Sequence, residues 1–565
     1  MDTHTVDNQA SALSDYNAFD TDPLLVAAAV REGAGWVAAQ ASALGAAVGS
    51  RHVQELAYLA NRHVPELVSH DAYGHRIDEV RYHPAYHELM GLAFGAGVHS
   101  LAWTARERGG HVARGVLSYL WNQAENGVGC PTGMAYAAIP MLRSSPRLAD
   151  SWGARLAAHG YEPGLRPVST KSAITLGMTL TEKQAGSDLR ASTTRARRAG
   201  GAEDEYLLTG HKWFCSAPMS DGFFVIAQAD AGPSLFLVPR VHEDGRRNRF
   251  AIQMLKDKCG NRSNASSSIE FDDTFAIRVS EEGRGIARAM EDAHYTRLDF
   301  AIGSAGLMRQ AFAQALHYVR GRSAFGRAIA DQPLMQNVLA DMAIESEAML
   351  TLTLRIARAF DEADEDDTAA QLRRVGPPLV KYFVCKMASA YAAEALECMG
   401  GNGYIENHPL ARLYREAPLN CIWEGSSNMV CLDVLRALAR DEALLDTLQG
   451  EMRVARGADR RLDALVDALP DTIAGLDDLS FNARWLCEHI VRLWQGALLV
   501  KHARPEVADT FVATRLGGAR GTHFGTMRGR IPSARILEGR SRYRAMRPAA
   551  VPRRPGFAAA TRATG

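Results

Sequence analysis

No two of the eight cysteines form a C-x-x-C pair, and no apolar run approaches the ~18 residues that a membrane helix needs. The first absence excludes a zinc ribbon and argues against a disulfide framework; reduced, mostly buried thiols in a cytoplasmic protein fit better. The second excludes a helical membrane span. The N-terminal stretch "MDTHTVDNQASALSDYNAFDTD" lacks a basic start and an apolar centre, so it does not read as a secretory signal. A disordered composition is missing too. Of 565 residues 47% are hydrophobic and 23% charged, an ordinary globular balance. That length leads one to expect roughly three or four domains.

Net charge is also absent, with 64 basic and 64 acidic residues. The balance hides a separation along the chain. From 501 to 565, Lys501 and 13 Arg face only Glu506, Asp509 and Glu538, so 14 − 3 = +11. The first 500 residues therefore carry about −11. Such a split points to an anionic partner for the C-terminal end. The competing reading is that the basic end docks on the protein's own acidic remainder.

Along the chain, residues 24–165 are rich in Ala and Leu and read as helical. "HPAYHELM" places His83 and His87 at i,i+4 beside Glu88, but a zinc site there needs a third ligand. A packed helix start is the better reading, and no metal is expected. From about 171 to 278 short β-rich segments such as "GFFVIAQADA", "PSLFLVPR" and "SSSIEFDDTF" are broken by Gly, Pro and Asp, the texture of a compact β domain. Helical patterns return from 283 to 445, with "DEADEDD" (361–367) as a solvated interhelix loop and nothing more. The boundaries follow: 1–170 helical, 171–280 β, 281–445 helical bundle, 446–545 a further helical domain, and 546–565 a disordered Pro/Ala/Arg tail.

One stretch asks for chemistry. In "NCIWEGSSNMVCL" Glu424 is the only ionisable carboxylate, beside Trp423 and just ahead of a helix-like run. It could be a helix-start Glu favoured by the dipole, or a general base in a dry pocket whose pKa is raised.

Five motifs in order settle the balance. "TEKQAGSD" (Thr181 to Asp188) resembles the flavin-binding loop of the acyl-CoA dehydrogenases. "GHKWFCS" is similar to that family's G-x-K-x-W-I-T strand, "RGRSAFG" to its R-x-x-F-G segment, "ECMGGNGYIENHPLARLYREA" to its second signature, and "IWEGSSN" to the segment carrying its catalytic Glu. The resemblance covers roughly 60–445. It implies a mixed, mainly α fold: an N-terminal helical domain, a middle β-barrel and a C-terminal four-helix bundle, here with an extra basic helical domain. It implies FAD as cofactor and Glu424 as the base that removes the α-proton of an acyl thioester. By the same resemblance FAD contacts fall on Met178, Thr179, Leu180, Thr181, Gly186, Ser187, Phe214, Cys215 and Ser216. Further contacts fall on Ile422, Trp423, Gly425, Ser426, Asn428 and Leu432. Arg322 and Phe325 would reach the FAD of a neighbouring subunit, with Gln332 at that subunit contact, and Gly400 and Gly401 are further cofactor contacts.

"YHPAYH", "LKDKCGNRSNASS", W-E-G for Y-E-G and "FVATRLGGARGTHFGT" bring the chain nearest to the family's DNA-alkylation-response branch. That likeness implies a cytoplasmic homotetramer, a dimer of dimers, that binds double-stranded DNA without sequence choice. It also implies weak dehydrogenation of a short or branched acyl-CoA. Arg515, Arg520, Arg528 and Arg530 are the DNA candidates. The alternative is an ordinary acyl-CoA dehydrogenase of fatty- or amino-acid catabolism. Lys183 in place of Pro, Phe214 in place of Trp, and Pro333 where Gln is usual (Gln332 adjoins) depart from the common pattern, chiefly around the acyl site.

Overall fold

A computed structural model describes residues 3–540. The tail at 546–565 and the last five residues of the expected 446–545 domain lie outside the described residues. Helices fill the N-terminal part, among them α1 (Gly110–Ala124) and α2 (Gly129–Arg143), both almost wholly buried. One feature there departs from the all-helical expectation: β1 (Glu66–His70) and β2 (Arg76–Arg81) form an antiparallel hairpin. Its packing explains it. Leu67 and Val80 join the core of the β domain, Arg76 donates to Ile252 O at 2.9 Å, and Asp78 accepts from Ile252 N at 3.0 Å.

The β domain comprises β3 (Leu176–Thr179), β4 (Arg195–Arg198), β5 (Glu205–Ser216), β6 (Gly222–Ala229), β7 (Gly232–Pro239), β8 (Phe250–Leu255) and β9 (Ser266–Arg278). Strand β6 pairs β7, β7 pairs β9, β9 pairs β5, β5 pairs β4, and β4 returns to β6, so the sheet closes on itself. Strand β3 adds to β6 in parallel, and β8 adds to β9. Alternation fills the interior with Phe223, Val225, Phe236, Val238, Ile269 and Phe271.

Beyond it α3 (Gly285–Gly321), α4 (Pro333–Glu362), α5 (Asp367–Cys398) and α6 (Ser427–Arg440) make the bundle. The acidic stretch 361–367 is more than a loop. Asp361 begins the stretch inside α4, half-buried, and accepts from the first amides of α1, His111 N at 2.7 Å and Val112 N at 3.0 Å. Burial pushes its carboxyl up to about 6, while the α1 dipole and its open amides favour the charge. His83 accepts from Ala85 N as the cap of helix Pro84–Gly95, and His87 bonds Tyr161 at 2.8 Å.

The extra C-terminal domain is centred on α7 (Leu479–His502), which lies against α4, α5 and α6 with Trp494 fully buried. Its basic residues meet the acidic face of α4. Arg515 pairs with Asp341 and, at 3.0 Å, with Glu345; Arg492 pairs with Glu345 at 2.9 Å; Arg520 pairs with Asp341 at 3.0 Å; Arg540 pairs with Glu347.

Candidate active site

A cavity of about 1700 Å³ runs between the barrel, the bundle and α2. That exceeds the roughly 300–1,000 Å³ of common ligand pockets, and suits two ligands lying together. One wall carries Met134, Met178, Phe214, Phe300 and Trp423; another carries Ser216, Ser266, Asn261 and Lys258. An apolar wall facing a polar edge fits a flat heteroaromatic ring with hydrogen-bonding atoms on one rim.

The loop 181–188 is fixed from behind. Glu182 is buried, and its carboxylate accepts from Thr193 N at 2.7 Å, Thr194 N at 3.1 Å and the Lys212 ammonium at 2.7 Å. Burial opposes that charge, but Lys212 and the amides outweigh it and hold the carboxyl well below the carboxylate range. Trp213 N donates to Thr181 O at 2.8 Å. Thus the Glu of "TEKQ" and the Lys of "GHKWF" are one internal ion pair, and it presents Leu180, Thr181, Gly186 and Ser187 to the cavity.

Strand alternation separates the other expected contacts. Met178, Phe214 and Ser216 line the cavity, whereas Thr179 donates to Phe214 O at 2.9 Å and Cys215 sits in the barrel core. The side chains of Thr179 and Cys215 therefore face away, and only their backbone could reach a ligand.

Glu424 lines the same cavity with Ile422, Trp423, Gly425 and Ser426. Its φ is +55° and that of Gly425 +95°. A non-glycine residue there costs about 1 kcal/mol or more and persists only when its surroundings hold it. Two cations do so through backbone carbonyls: Arg297 Nε donates to Glu424 O at 3.3 Å, and Lys381 Nζ donates to Gly425 O. Arg297 also pairs with Asp433 at 2.6 Å, which Arg374 reaches at 2.8 Å. Trp423 stacks on Phe300, centroids 4.6 Å apart, and donates to Asn420 Oδ1 at 3.0 Å. Burial raises the Glu424 carboxyl above its ordinary value, against the pull of Arg297, Lys381 and the Thr296 hydroxyl. A raised carboxylate in a cleft is the setting of a general base.

Not every expected residue comes to this cavity. Asn428 is exposed and accepts from Arg484 at 2.8 Å, and Leu432 lies beyond the lining. Arg322, Phe325, Gln332, Gly400 and Gly401 lie outside it as well. Phe325 is 98% exposed at the tip of a two-residue hairpin turn, with φ +52° and Gly326 at +80°, the pattern of a type I′ turn. Arg515 and Arg520 are corrections. Expected at DNA, they are held within the protein by Asp341 and Glu345, while Arg528 and Arg530 are exposed. Lys258 and Lys381 were missed. Lys381 had a signal, a lone charge in the apolar run "PPLVKYFVC"; Lys258 lies in the stretch "LKDKCGNRSNASS", whose polar texture does not show which of its residues faces the cavity.

Comparison with known proteins meets the same residues. Residues 8–163 match the adaptive response protein AidB N-terminal domain, 177–274 the acyl-CoA dehydrogenase middle domain, and 283–439 the acyl-CoA dehydrogenase C-terminal domain. The chain is 40% identical to the putative acyl-CoA dehydrogenase AidB of Escherichia coli strain K12, over 92% of this chain and 96% of that protein. The chain belongs to the acyl-CoA dehydrogenase family. Among solved structures, Caenorhabditis elegans ACDH-11 in complex with C11-CoA superposes with a TM-score of 0.82 at 26% identity, over 90% of this chain and 93% of that one. The Bacillus anthracis acyl-CoA dehydrogenase complexed with FAD shares the fold, with a TM-score of 0.65 at 17% identity over 90% and 87% of the chains. Members of this family depend on FAD, and the two walls of the cavity fit it. Among the described residues no helix is long and apolar enough to cross a membrane, and no metal-ligand cluster occurs.

Proposed function

We propose that the chain is an FAD-dependent oxidoreductase that dehydrogenates the α,β bond of an acyl-CoA, with Glu424 as its base. The observation that carries this is Glu424 itself, a raised carboxyl on the cavity wall whose backbone, not its carboxylate, is clamped by cations. When bound, FAD supplies the hydride acceptor. Leu180, Thr181, Gly186, Ser187 and Ser216 would hold its ring system and phosphates, and Glu424 would take the α-proton. Donors around the thioester oxygen would strengthen as the enolate charge grows. The Trp423–Phe300 stack fills the wall beside Glu424 and favours a short or branched acyl group with slow turnover. The C11-CoA held by ACDH-11 supports the acyl-CoA class.

Phe325 at the hairpin tip and the 83% exposed Leu334 in the first turn of α4 favour a homotetramer, built as a dimer of dimers, because large exposed apolar groups seek a partner. In it Arg322, Phe325, Gln332, Gly400 and Gly401 would complete a neighbour's FAD site. Eight free cysteines, six of them buried, suit the cytoplasm.

A second reading adds double-stranded DNA and a part in the response to alkylation. It is supported by the exposed Arg528 and Arg530 and by the likeness to the AidB N-terminal domain; Arg515 and Arg520 no longer support it. The test of the main reading is anaerobic titration of the purified yellow protein with a panel of acyl-CoAs. Bleaching of the flavin band by at least one short or branched thioester is expected. A colourless protein that takes up no FAD would sink the reading.

A further inference from the structure

Behind Ser216, the polar wall of the cavity is organised around one ammonium group. Lys258 Nζ donates to Asn264 O at 2.6 Å, to Ser266 Oγ at 3.0 Å and to Asn261 Oδ1 at 3.3 Å. An ammonium has three hydrogens and accepts nothing, so three neutral oxygens take them all. Ser266 Oγ must accept here, and the positive charge turns its own hydrogen away. The Ser216 Oγ lies 3.3 Å from Ser266 Oγ, across the paired strands β5 and β9. With its lone pair turned to the ammonium, Ser266 is placed to donate into that contact and Ser216 to accept. The hydrogen of Ser216 is then left for the cavity side, where the neutral Cys130 thiol, a weak acceptor, stands beside it and yields to a stronger acceptor on a ligand.

We propose that Lys258 is a positioning residue that makes the Ser216 hydroxyl a fixed hydrogen-bond donor toward the ring of a bound flavin. The inference rests on the FAD reading above and extends it to a residue outside the expected contacts. A donor whose direction is set in advance favours an acceptor ring most when that ring is electron-rich. The titratable groups facing Lys258 are Cys130 on α2, Glu416 of helix Pro409–Glu416, and Glu125 just past α1. Glu416 is taken by Asn261, at 2.6 Å from its backbone N and 3.2 Å from its side chain. Glu125 is taken by Ser263 and Val128 N, each at 2.7 Å. Neither carboxylate closes on the ammonium, so its charge acts on the cavity wall. Burial lowers the ammonium to about 8. The relay is therefore charged at neutral pH and lost in mild alkali.

The experiment compares the FAD-loaded wild type with Lys258→Met, Lys258→Arg and Ser266→Ala. It measures the visible flavin band, FAD content and the two-electron midpoint potential between pH 6 and 9. Lys258→Met should retain FAD but weaken binding of the reduced flavin relative to the oxidised by about tenfold, a fall of about 30 mV for a two-electron couple. Ser266→Ala, which keeps the charge and breaks the relay, should shift the potential in the same direction by less. Lys258→Arg should recover part of the loss. The gap between wild type and Lys258→Met should narrow above about pH 8. Wild-type potential and band in both flavin-loaded Lys258→Met and Ser266→Ala would overturn the inference. If Lys258→Met cannot be loaded, Ser266→Ala decides alone, and an unchanged potential there overturns it. A wild type that takes up no FAD defeats the functional reading, and the inference with it.

Discussion

Glu424 and Glu345 are both carboxylates set among arginines, yet they have opposite fates. Around Glu345, Arg492 and Arg515 bond the carboxylate itself, at 2.9 and 3.0 Å. Burial opposes the charge, but the two guanidiniums outweigh it and hold the carboxyl down to about 2. Around Glu424, Arg297 and Lys381 bond backbone carbonyls instead, and burial prevails. If Glu424 is the base proposed above, what separates a strut from a base here is which oxygen the cation reaches. A carboxylate with its cations in contact cannot be a useful proton acceptor at neutral pH. One whose cations fix only its backbone keeps its basicity and its aim.

Breaking the active side of the comparison gives the largest effect. Glu424→Gln keeps shape and loop but cannot take a proton. Acyl-CoA-dependent bleaching should fall by about 10²–10⁴-fold, with FAD content unchanged. Wild-type bleaching should speed up as pH rises through the raised pKa of Glu424, because the ionised form is the base. The variant should lose that dependence. Stopped-flow reduction across pH checks both, and an equally fast Gln variant would return Glu424 to a structural role.

Breaking the other side should cost stability. Arg515→Met leaves Asp341 to Arg520 alone and Glu345 to Arg492 alone, and removing one partner from such a buried ionic cluster typically costs about 3–5 kcal/mol. A lower urea midpoint with reduced docking of 446–540 on α4 is expected, while Glu424 chemistry persists. The pH dependence has a definite sign. The folded pKa of Glu345 lies below its unfolded value, so its contribution is present above about 4.5 and is lost as pH falls toward about 2. An unchanged midpoint in the Met variant would mean that these pairs hold nothing.

The barrel strands and the placing of loop 181–188 and Glu424 on one cavity were legible because each signal sits inside one short stretch. The hairpin β1–β2 was not, although "HDAYGH" carries a turn and Gly74 takes φ +88° there. Its two strands are short and polar and gain their stability only against the barrel. The fate of Arg515 and Arg520 was illegible for a related reason. A charge count along the chain cannot show which opposite charge is near in space. The one hint was Asp341 and Glu345 at i,i+4 within the apolar stretch "ADMAIESEAML" of α4, a pair of acids that no local residue neutralises. Thr179 and Cys215 were assigned as though a strand presented every residue to one side.

The smallest expected effect concerns the cations that neither region uses. Arg528 donates to Gly518 O at 3.0 Å and is otherwise exposed, as is Arg530. They sit just past Met527, which is anchored by Asn337 at 2.9 Å, so they project from a fixed base. If double-stranded DNA docks there through its phosphates, reversing both residues to Glu should lower affinity for every sequence alike. The slope of log K against log salt should become shallower by about 0.9 for each lost phosphate contact. Because the buried arginines of this domain are spared, folding and flavin content should not change. That separates the prediction from Arg515→Met, in which any loss of DNA binding would follow from loss of structure. Electrophoretic shift assays on one duplex at several salt concentrations measure both quantities. Unchanged affinity and slope in the double variant would remove Arg528 and Arg530 from the DNA reading, leaving Arg515, Arg520 and Arg540 as counter-charges of α4.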